Sequence, residues 1–209
     1  MELQAKIIEK AEELFLRYGL KSVSMDDIAR KLGISKKTLY QYVDNKADLI
    51  SKIIMAHVEE EKAMMEEAKK NSSDAIEEML RVARYIVQQL RKFSPALLYD
   101  LQKYYDNIWQ LLQRLHLEHA YQHIKENIER GQRQSVYRQD VDAEIIAKIY
   151  VNSTLSLVDE EAFPLKKYNK EKLFIEFIKY HILGITSAKG TILYKKHVSK
   201  NKANTAVAS

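Results

Sequence analysis

The sequence contains no cysteine, and its 209 residues include only five glycines and two prolines. Without cysteine the chain can form no disulfide, no thiol-based catalytic site and no cysteine-ligated zinc or iron–sulfur centre, and this composition fits a reducing compartment. The few glycines and prolines leave little material for tight hairpin turns, whereas glutamate, lysine, leucine, isoleucine and alanine are abundant. The composition therefore predicts an almost wholly helical, all-α protein in the cytoplasm.

Long apolar runs are absent as well. The N-terminal stretch MELQAKIIEKAEELF carries charges throughout, so it lacks the apolar segment of a secretory signal. No run of about 18 apolar residues occurs in the sequence, as a membrane-spanning helix would require. We therefore expect a soluble, unprocessed protein with no membrane partner, long enough for a small head and one larger core.

The basic residues are unevenly distributed. The formal net charge of +5 equals the charge of the five lysines after residue 188, where aspartate and glutamate are absent, so residues 1–188 are formally neutral. The overall charge is therefore a poor argument for nucleic-acid binding. Local charge is a better one, because a single acid, Asp44, lies among five basic residues between positions 30 and 46: Arg30, Lys31, Lys36, Lys37 and Lys46.

The first fifty residues have the pattern of short helices separated by turns. Apolar residues recur at helical spacing over 7–18, and Gly19 follows where a left-handed C-terminal cap would lie. Ser24 and Asp27 can form a capping box at the start of a second helix over 25–32. These signals predict two amphipathic helices joined by a short loop.

A third helix completes the pattern. Gly33 supplies the positive φ that a sharp turn needs, Ser35 can cap a helix over 36–42, and the small Ala29 lets the two helices cross closely. The exposed face of this third helix carries side-chain types that contact phosphates and base edges: Lys36, Lys37, Thr38, Tyr40 and Gln41. The spacing predicts a helix-turn-helix whose last helix enters the major groove.

The segment SVSMDDIARKLGISKKTLYQYVDNKADLI resembles the DNA-binding head of the TetR family of transcriptional regulators, and the likeness extends from Ile7 to Ile50. Family members typically show the pattern TLY-x-[HYF]-[FV]-x-x-K-x-x-L, which is satisfied here by Thr38, Leu39, Tyr40, Tyr42, Val43, Lys46 and Leu49. Lys37 stands where glycine or proline is common. The resemblance implies an N-terminal three-helix DNA-binding head and a C-terminal helical ligand-binding and dimerisation domain.

The resemblance also implies a function. Such a protein is a homodimeric regulator, usually a repressor, that binds a palindromic double-stranded DNA operator and is released by a small-molecule effector. Thr38 and Tyr42 would contact phosphates, and the Tyr40 ring would pack near base methyl groups or the backbone. With the candidate base-reading residues, the predicted DNA-binding set is Ser24, Ser35, Lys36, Lys37, Thr38, Tyr40, Gln41, Tyr42 and Lys46.

Lys46 has independent support as a phosphate contact. Asn45 and Asp48 can form a capping box, which places Lys46 at the positive end of the following helix, where phosphate is favoured. The alternative for the whole surface is that Tyr40 and Tyr42 belong to the core of the head and that the lysines form an ordinary solvated face. The matching register of caps, turn and basic residues favours DNA binding.

The remaining chain predicts a helical body. We expect the DNA-binding domain over 1–48, the effector-binding and dimerisation domain over 49–190, and a basic, flexible tail over 191–209 that either adds nonspecific DNA affinity or has no role. Periodicity and capping signals predict body helices over 46–70, after Asp74, from Ser94-Pro95, over Asn107–Arg130 with its end at Gly131, over 142–160 and over 170–187.

The last two of these helices are rich in apolar residues on several faces. One chain cannot easily bury all of them, so two helices from each of two subunits are expected to form a four-helix interface, as the resemblance also implies. The predicted interface residues are Ile149, Leu155, Phe174, Phe177, Ile178 and Ile182. The alternative is that these faces complete a monomeric core.

Aromatic and polar side chains concentrate between residues 85 and 121, where the family usually has its effector pocket. Such a mixture suits a mostly apolar ligand held by a few polar groups. The candidate pocket residues are Tyr85, Phe93, Tyr99, Tyr105, Trp109 and His116. Aromatic residues at helical spacing equally fit a core or an interface.

His116, His119 and His123 share one helix face and could in principle bind a divalent metal. Neighbouring acids do not complete a familiar metal spacing, and the sequence has no glycine-rich phosphate loop, nucleophile elbow or HExxH motif. We therefore expect no metal, no cofactor and no catalytic residue. The rival hypotheses are a helical enzyme or metal-binding protein that uses these histidines, and a DNA-binding protein that responds to no ligand.

Overall fold

The structure, a computed structural model, describes residues 2–92, 95–159, 161–164 and 166–207. Within these ranges it contains ten α-helices and no β-strand, and an isolated antiparallel bridge pairs Tyr137 with Thr186. The predicted all-α fold is thereby confirmed, and none of the helices in this part of the chain is long and apolar enough to cross a membrane. The helices are α1 (Glu2–Tyr18), α2 (Met25–Leu32), α3 (Lys36–Leu39), α4 (Lys46–Asn71), α5 (Ala75–Lys92), α6 (Pro95–Tyr104), α7 (Asp106–Arg133), α8 (Ala143–Val158), α9 (Lys170–Ile185) and α10 (Ala188–Val207).

The first of two compact units comprises Met1–Lys62 and Arg91–His116. It has its own hydrophobic core, in which the helix-turn-helix packs against the first part of α4 and against α6. Because Ile53, Leu97 and Leu101 belong to this core, the unit extends beyond the predicted head boundary at residue 48. Its buried side chains include Ile7, Phe15, Ile28, Leu39, Val43, Leu49, Leu97 and Leu101.

The second unit comprises Ala63–Leu90 and Leu117–Ser209. Two buried polar side chains inside it form a short network: Asn127 donates a 2.9 Å hydrogen bond to the carbonyl of Ala75, and the Tyr137 hydroxyl donates to Asn127 Oδ1 over 3.1 Å. Complete burial raises the pKa of the Tyr137 hydroxyl. The apolar core around this network is formed by residues that include Ile76, Met79, Ile124, Ile128, Phe174, Ile178 and Ile182.

Gly131 does not end its helix, contrary to the sequence-based prediction. Helix α7 continues to Arg133, and a Cβ atom at Gly131 would lie 2.0 Å from Cδ2 of Tyr137. The glycine is therefore needed for the close approach of the Tyr137 ring to the helix. The backbone N–H groups of Val136 and Tyr137 both donate to the Gly131 carbonyl, so the chain turns back over the helix end.

The C-terminal segment also differs from the prediction. The sequence predicts a flexible tail over 191–209, but α10 continues as a helix to Val207. Leu193 and Tyr194 pack against the core of the second unit, and His197 Nε2 lies 2.8 Å from a carboxylate oxygen of Asp74. The apolar segment that holds the helix is too short to produce a recognisable periodicity, which explains why the pattern alone does not predict it.

Candidate nucleic-acid interface

The turn into α2 is closed by its own side chains. The Ser24 hydroxyl accepts a 3.2 Å hydrogen bond from the backbone N–H of Asp27, and the Asp27 carboxylate accepts a 2.9 Å bond from the backbone N–H of Ser24. The Ser24 hydroxyl also donates a 2.6 Å hydrogen bond to the Asp27 carboxylate, and this bond and that from the Ser24 N–H lower the pKa of the Asp27 carboxyl. At the other end of α2, Gly33 has a φ of 68°, which side chains disfavour. The predicted capping box and left-handed cap are thereby confirmed.

Helix α3 is shorter than the predicted range of 36–42. Ser35 caps it by accepting a 3.0 Å bond from the Thr38 N–H, but regular helix ends at Leu39 and the backbone continues as a turn. The buried Leu39 and Val43 explain this change of direction, because a turn between them brings both side chains into the core. The short helix and the turn together present the predicted DNA-contacting residues.

These residues are unequally exposed. Lys36, Lys37, Tyr40 and Gln41 are exposed, with 41% of the Tyr40 surface accessible, whereas Tyr42 is half-buried against the core of the first unit. The alternative that the aromatic residues belong to the core therefore fits Tyr42 but not Tyr40. An exposed tyrosine beside two lysines and a glutamine is a suitable surface for phosphates and base edges.

Lys36 has an internal partner. Its ammonium group lies 3.0 Å from a carboxylate oxygen of Asp26, and both side chains are more than half exposed. The hydrogen bond to Asp26 raises the pKa of Lys36. Because exposed ion pairs contribute little to stability, a DNA phosphate can compete for this ammonium group.

Lys46 is the first residue of α4, as the sequence predicts, but it also has partners within the chain. Its half-buried ammonium group donates hydrogen bonds to the carbonyls of Leu20 and Val23, the latter over 2.6 Å, and lies 5.7 Å from the centre of the Phe15 ring. Burial lowers the pKa of Lys46. Two of its three donors thus hold the loop between α1 and α2, which leaves one for a phosphate.

The start of α4 follows the predicted capping pattern in part. Asn45 Oδ1 accepts a 3.0 Å hydrogen bond from the Asp48 N–H, as expected, but the Asp48 carboxylate accepts from the N–H of Asp44 rather than from that of Asn45. Lys52 binds the same carboxylate over 2.6 Å, and this bond lowers the pKa of Asp48.

Sequence reasoning missed two residues that support this surface. Lys52 donates a 2.9 Å bond to the carbonyl of Tyr42, where the turn after α3 ends, and Asp100 on α6 accepts a 3.2 Å bond from the backbone N–H of Lys21. Lys52 and Asp48 are four residues apart on α4, a spacing that predicts an ion pair within the helix but not the bond to Tyr42. The contacts with Tyr42 and Lys21 depend on tertiary packing and leave no such signal.

The candidate effector residues that the structure describes are divided between the two units. Tyr85 belongs to the second unit, whereas Tyr105 and Trp109 pack against the core of the first. Tyr99 is 55% exposed, and His116 Nδ1 lies 3.5 Å from Glu61 Oε1. Phe93 lies outside the described residues.

Three of the predicted interface residues are buried within their own chain. Phe174, Ile178 and Ile182 are at most 6% exposed and belong to the core of the second unit, so little of their surface is available to a partner in this conformation of the chain. Their spacing of four residues places them on the inward face of α9. Leu155 and Phe177 are half-buried, and Ile149 is 55% exposed. Other apolar residues of α8 and α9 are between 40% and 79% exposed: Ile145, Ile175, Tyr180 and Leu183.

The three histidines of α7 do not share one environment. His123 is buried and lies 3.5 Å from a carboxylate oxygen of Glu78, His116 faces Glu61, and His119 is half-buried. Burial lowers the pKa of His123. Among the described residues, no three histidine, cysteine or acidic side chains are grouped so that they could hold a metal ion.

Comparison with known proteins assigns the helix-turn-helix segment to one family. Residues 7–53 match the family model described as bacterial regulatory proteins, tetR family. The chain is 24% identical over 165 residues to the uncharacterised HTH-type transcriptional regulator YvaF of Bacillus subtilis, which covers 78% of this chain and 85% of YvaF. The matched family segment contains the entire helix-turn-helix and the start of α4.

Solved structures extend the likeness to most of the chain. A transcriptional regulator from Cytophaga hutchinsonii superposes with a TM-score of 0.74 at 17% identity, over 88% of this chain and 98% of that one. A gamma-butyrolactone receptor described as ArpA-like gives a TM-score of 0.64 at 18% identity, over 97% of both chains. These solved structures show the shared fold. The match of residues 7–53 identifies the N-terminal segment as a tetR-family head, and with the capped helix-turn-helix it supports a DNA-binding transcriptional regulator of that family.

Proposed function

We propose that the protein is a homodimeric repressor that binds a palindromic operator through one helix-turn-helix per subunit and is released by a small-molecule effector. The observation that carries the proposal is the exposed surface of α3 and the following turn, where Lys37, Tyr40 and Gln41 extend from a scaffold held by side-chain caps. Such a rigid scaffold lets the side chains meet DNA without first being ordered. The proposal includes no metal, cofactor or enzymatic activity, and it requires a cytoplasmic location with access to the chromosome.

Within the proposed interface the residues have different roles. Lys36, Lys37 and Gln41 read base edges in the major groove, because their long polar side chains are exposed along α3 and the following turn. Ser24, Ser35, Thr38 and Tyr42 contact phosphates, and Lys46 does so with its remaining donor. Tyr40 packs against base methyl groups or the sugar–phosphate backbone.

The proposed dimer interface is the outward face of α8 and α9. Its centre is formed by Ile149 and Leu183, which are 55% and 40% exposed, and by Gly184, where an added Cβ would meet no atom within 4 Å. Exposed isoleucine and leucine on two adjacent helices favour association with the same face of a second copy. Two helices from each subunit would then form a four-helix interface, in which Ile149 keeps its predicted role and Leu183 joins it.

Effector release is proposed to act through α4. This helix contributes Ile53 to the core of the first unit and Met65 to a cluster in the second, so one continuous helix carries residues of both. A ligand that prefers one position of α4 would change the spacing of the two heads and lower operator affinity, and DNA would lower ligand affinity to the same extent. The structural likeness to a gamma-butyrolactone receptor supports a small organic effector.

The DNA-binding role is tested by selecting duplexes from a random library with the full-length protein and measuring their affinity by fluorescence anisotropy. Lys37→Ala and Gln41→Ala should each lower the affinity for the selected duplex by roughly 10- to 100-fold, the range for one base-reading side chain. Each should also reduce the discrimination between bases at the position that the side chain reads. The control Lys166→Gln/Lys167→Gln removes two exposed lysines elsewhere and should bind like wild type. No selected sequence, or equal affinity for all variants, would overturn the assignment.

The dimer is tested by light scattering of three single variants. Ile149→Arg and Leu183→Arg should produce monomers, because each places a charge in an apolar interface. Ile192→Arg is the matched control, since Ile192 is also exposed, at 69%, but lies on α10. If only the Ile192 variant dissociates, the interface lies on α10 and the placement on α8 and α9 is wrong.

The effector is tested with the same anisotropy assay. Operator-bound protein is titrated with a panel of γ-butyrolactones and other small organic molecules, and the proposal expects at least one to release the DNA. If the protein keeps its full operator affinity with every compound, and no compound shifts the melting temperature of the protein, the alternative of a DNA-binding protein that responds to no ligand is favoured.

A further inference from the structure

A group of exposed tyrosines and basic residues lies on the first unit beside the loop between α1 and α2. The tyrosine–lysine patch consists of Arg17, Tyr18, Lys21, Tyr99, Lys103 and Tyr104. Its three tyrosines are 51%, 55% and 45% exposed, in chain order, although tyrosine usually covers more of its ring in a folded protein. The helix-turn-helix assignment does not use any of these residues.

The cations of the patch are ordered by the aromatic rings. Lys21 Nζ lies 5.3 Å from the centre of the Tyr104 ring, and Lys103 Nζ lies 5.6 Å from the same centre and 5.2 Å from that of Tyr99. Lys103 also donates a 2.9 Å hydrogen bond to the Tyr99 hydroxyl. Because contacts with rings limit the motion of long side chains, less entropy is lost when these ammonium groups bind an anion.

The acids beside the patch, in the part of the chain that the structure describes, already accept hydrogen bonds: Asp106, three residues after Lys103, accepts a 2.7 Å bond from the Gln110 side chain. Asp100 is half-buried, and one of its carboxylate oxygens accepts the backbone N–H of Lys21. Glu13, one helical turn before Arg17, is paired with Lys10. The side chains that remain are cations and phenol hydroxyls, which are the groups that bind phosphate oxygens.

The patch also adjoins the DNA-binding surface along the chain. Lys21 precedes Ser24, the N-cap of α2, by three residues, and Lys46 fixes the carbonyls of Leu20 and Val23 on either side of it. This continuity with the helix-turn-helix favours DNA over an acidic protein as the partner. We propose that the tyrosine–lysine patch is a second DNA-contact surface, which binds the phosphate backbone of the duplex flanking the half-site. This inference rests on the proposed operator binding.

The test compares two duplexes: the core sequence selected by the full-length protein, and the same core extended by about one helical turn, ~10 base pairs, on each side. Wild type should bind the extended duplex more tightly. Lys21→Gln/Lys103→Gln should remove this preference and reduce the slope of log affinity against log salt by roughly two on the extended duplex, as expected for two lost phosphate contacts. Its affinity for the core duplex should be unchanged.

The control is again Lys166→Gln/Lys167→Gln, which removes the same charge from an exposed loop and should keep the preference for the extended duplex. Circular dichroism verifies that both variants are folded. The inference would be overturned if wild type bound the two duplexes equally, or if the two variants showed the same preference for the extended duplex. An acidic protein would then be the better candidate partner for the patch. Loss of core binding in the patch variant would overturn it too, because the patch would then belong to the primary contact. Failure of wild type to select any duplex would instead refute operator binding itself.

Discussion

The ammonium group of Lys46, the first residue of α4, donates a 2.6 Å hydrogen bond to the carbonyl of Val23, just before α2 begins. A second bond from the same group reaches the carbonyl of Leu20. One side chain thus fixes the segment that leads into the helix-turn-helix before any DNA is present. Because the ammonium group is half-buried, it loses part of its hydration. The two carbonyl oxygens replace that water as hydrogen-bond acceptors, so the charged side chain stabilises the free protein.

Replacement of Lys46 by methionine should therefore destabilise the free protein. The variant keeps the length of the side chain but loses two charge-assisted hydrogen bonds, so we expect the free energy of unfolding to fall by about 1–3 kcal/mol in urea denaturation. Lys36→Met is the matched control, since Lys36 is exposed, and it should unfold like wild type. A Lys46 variant with wild-type stability but weaker DNA binding would show that the side chain acts on phosphate alone.

The buried carboxylate of Glu78 supports a second prediction. It accepts a 2.5 Å hydrogen bond from Arg130, which also donates to the carbonyls of Lys69 and Ser72, so that α4, α5 and α7 meet at one guanidinium group. Glu78→Gln removes the counter-charge but leaves the arginine in place. Because an uncompensated charge remains, we expect a loss of about 3–5 kcal/mol in the free energy of unfolding, measured by urea denaturation.

Two further variants control this experiment. Glu144→Gln removes an exposed carboxylate that is paired with Lys148 on the same helix, and its stability should stay near that of wild type. Glu78→Leu/Arg130→Met removes both charges and should recover part of the loss. If the double variant is no more stable than Glu78→Gln, packing rather than charge accounts for the effect.

Two helical glycines give opposite expectations for the same substitution. At Gly131 a methyl group would overlap the Tyr137 ring, with a separation of 2.0 Å, so Gly131→Ala should lower the midpoint of thermal unfolding and destabilise by about 1–3 kcal/mol or more. At Gly184 the same group would meet no atom of its own chain within 4 Å. Measured in the Ile149→Arg background, where the proposed dimer interface is disrupted, Gly184→Ala should therefore stabilise the helix by up to about 1 kcal/mol. Equal effects at both sites would contradict the packing role of Gly131.

These contrasts show which features the sequence makes predictable. Ser24, Asp27 and Gly33 form their caps with residues close in sequence, so their types and spacing are sufficient to predict the start and end of α2. The same holds for Pro95 at the start of α6. Because these hydrogen bonds are local, the helix-turn-helix and the all-α fold follow from residue types and their spacing alone.

Features that depend on distant residues cannot be derived in this way. Gly131 fits a C-terminal cap by type alone, and only the position of Tyr137 reveals its packing role. On α9 the apolar residues occur on both faces, so periodicity does not distinguish the buried Phe174 from the exposed Ile175. The contact of Lys46 with the carbonyl of Val23 likewise depends on how α4 packs against the loop.

His181 provides the last prediction, which concerns pH. The ring is buried between aromatic side chains, 4.7 Å from the centre of the Tyr150 ring and 6.5 Å from that of Phe177, and burial lowers the pKa of His181 to about 4. An unfolded histidine titrates near ~6.5. The unfolded state therefore binds a proton below this pH while the folded state does not, so the stability due to neutral His181 is present above pH ~6.5 and falls as the pH decreases toward 4.

Between pH 7 and pH 5 this difference in proton binding should reduce the free energy of unfolding by about 2 kcal/mol. His181→Leu cannot take up the proton and should lose less stability over the same interval, so urea denaturation curves of the two proteins should diverge as the pH falls. Wild type and His181→Leu must be compared, because the other titratable groups contribute equally to the pH dependence of both proteins and cancel in the difference between their free energies of unfolding. Parallel loss of stability in wild type and variant would mean that the folded state admits a protonated His181, and that the aromatic surroundings do not keep the ring neutral.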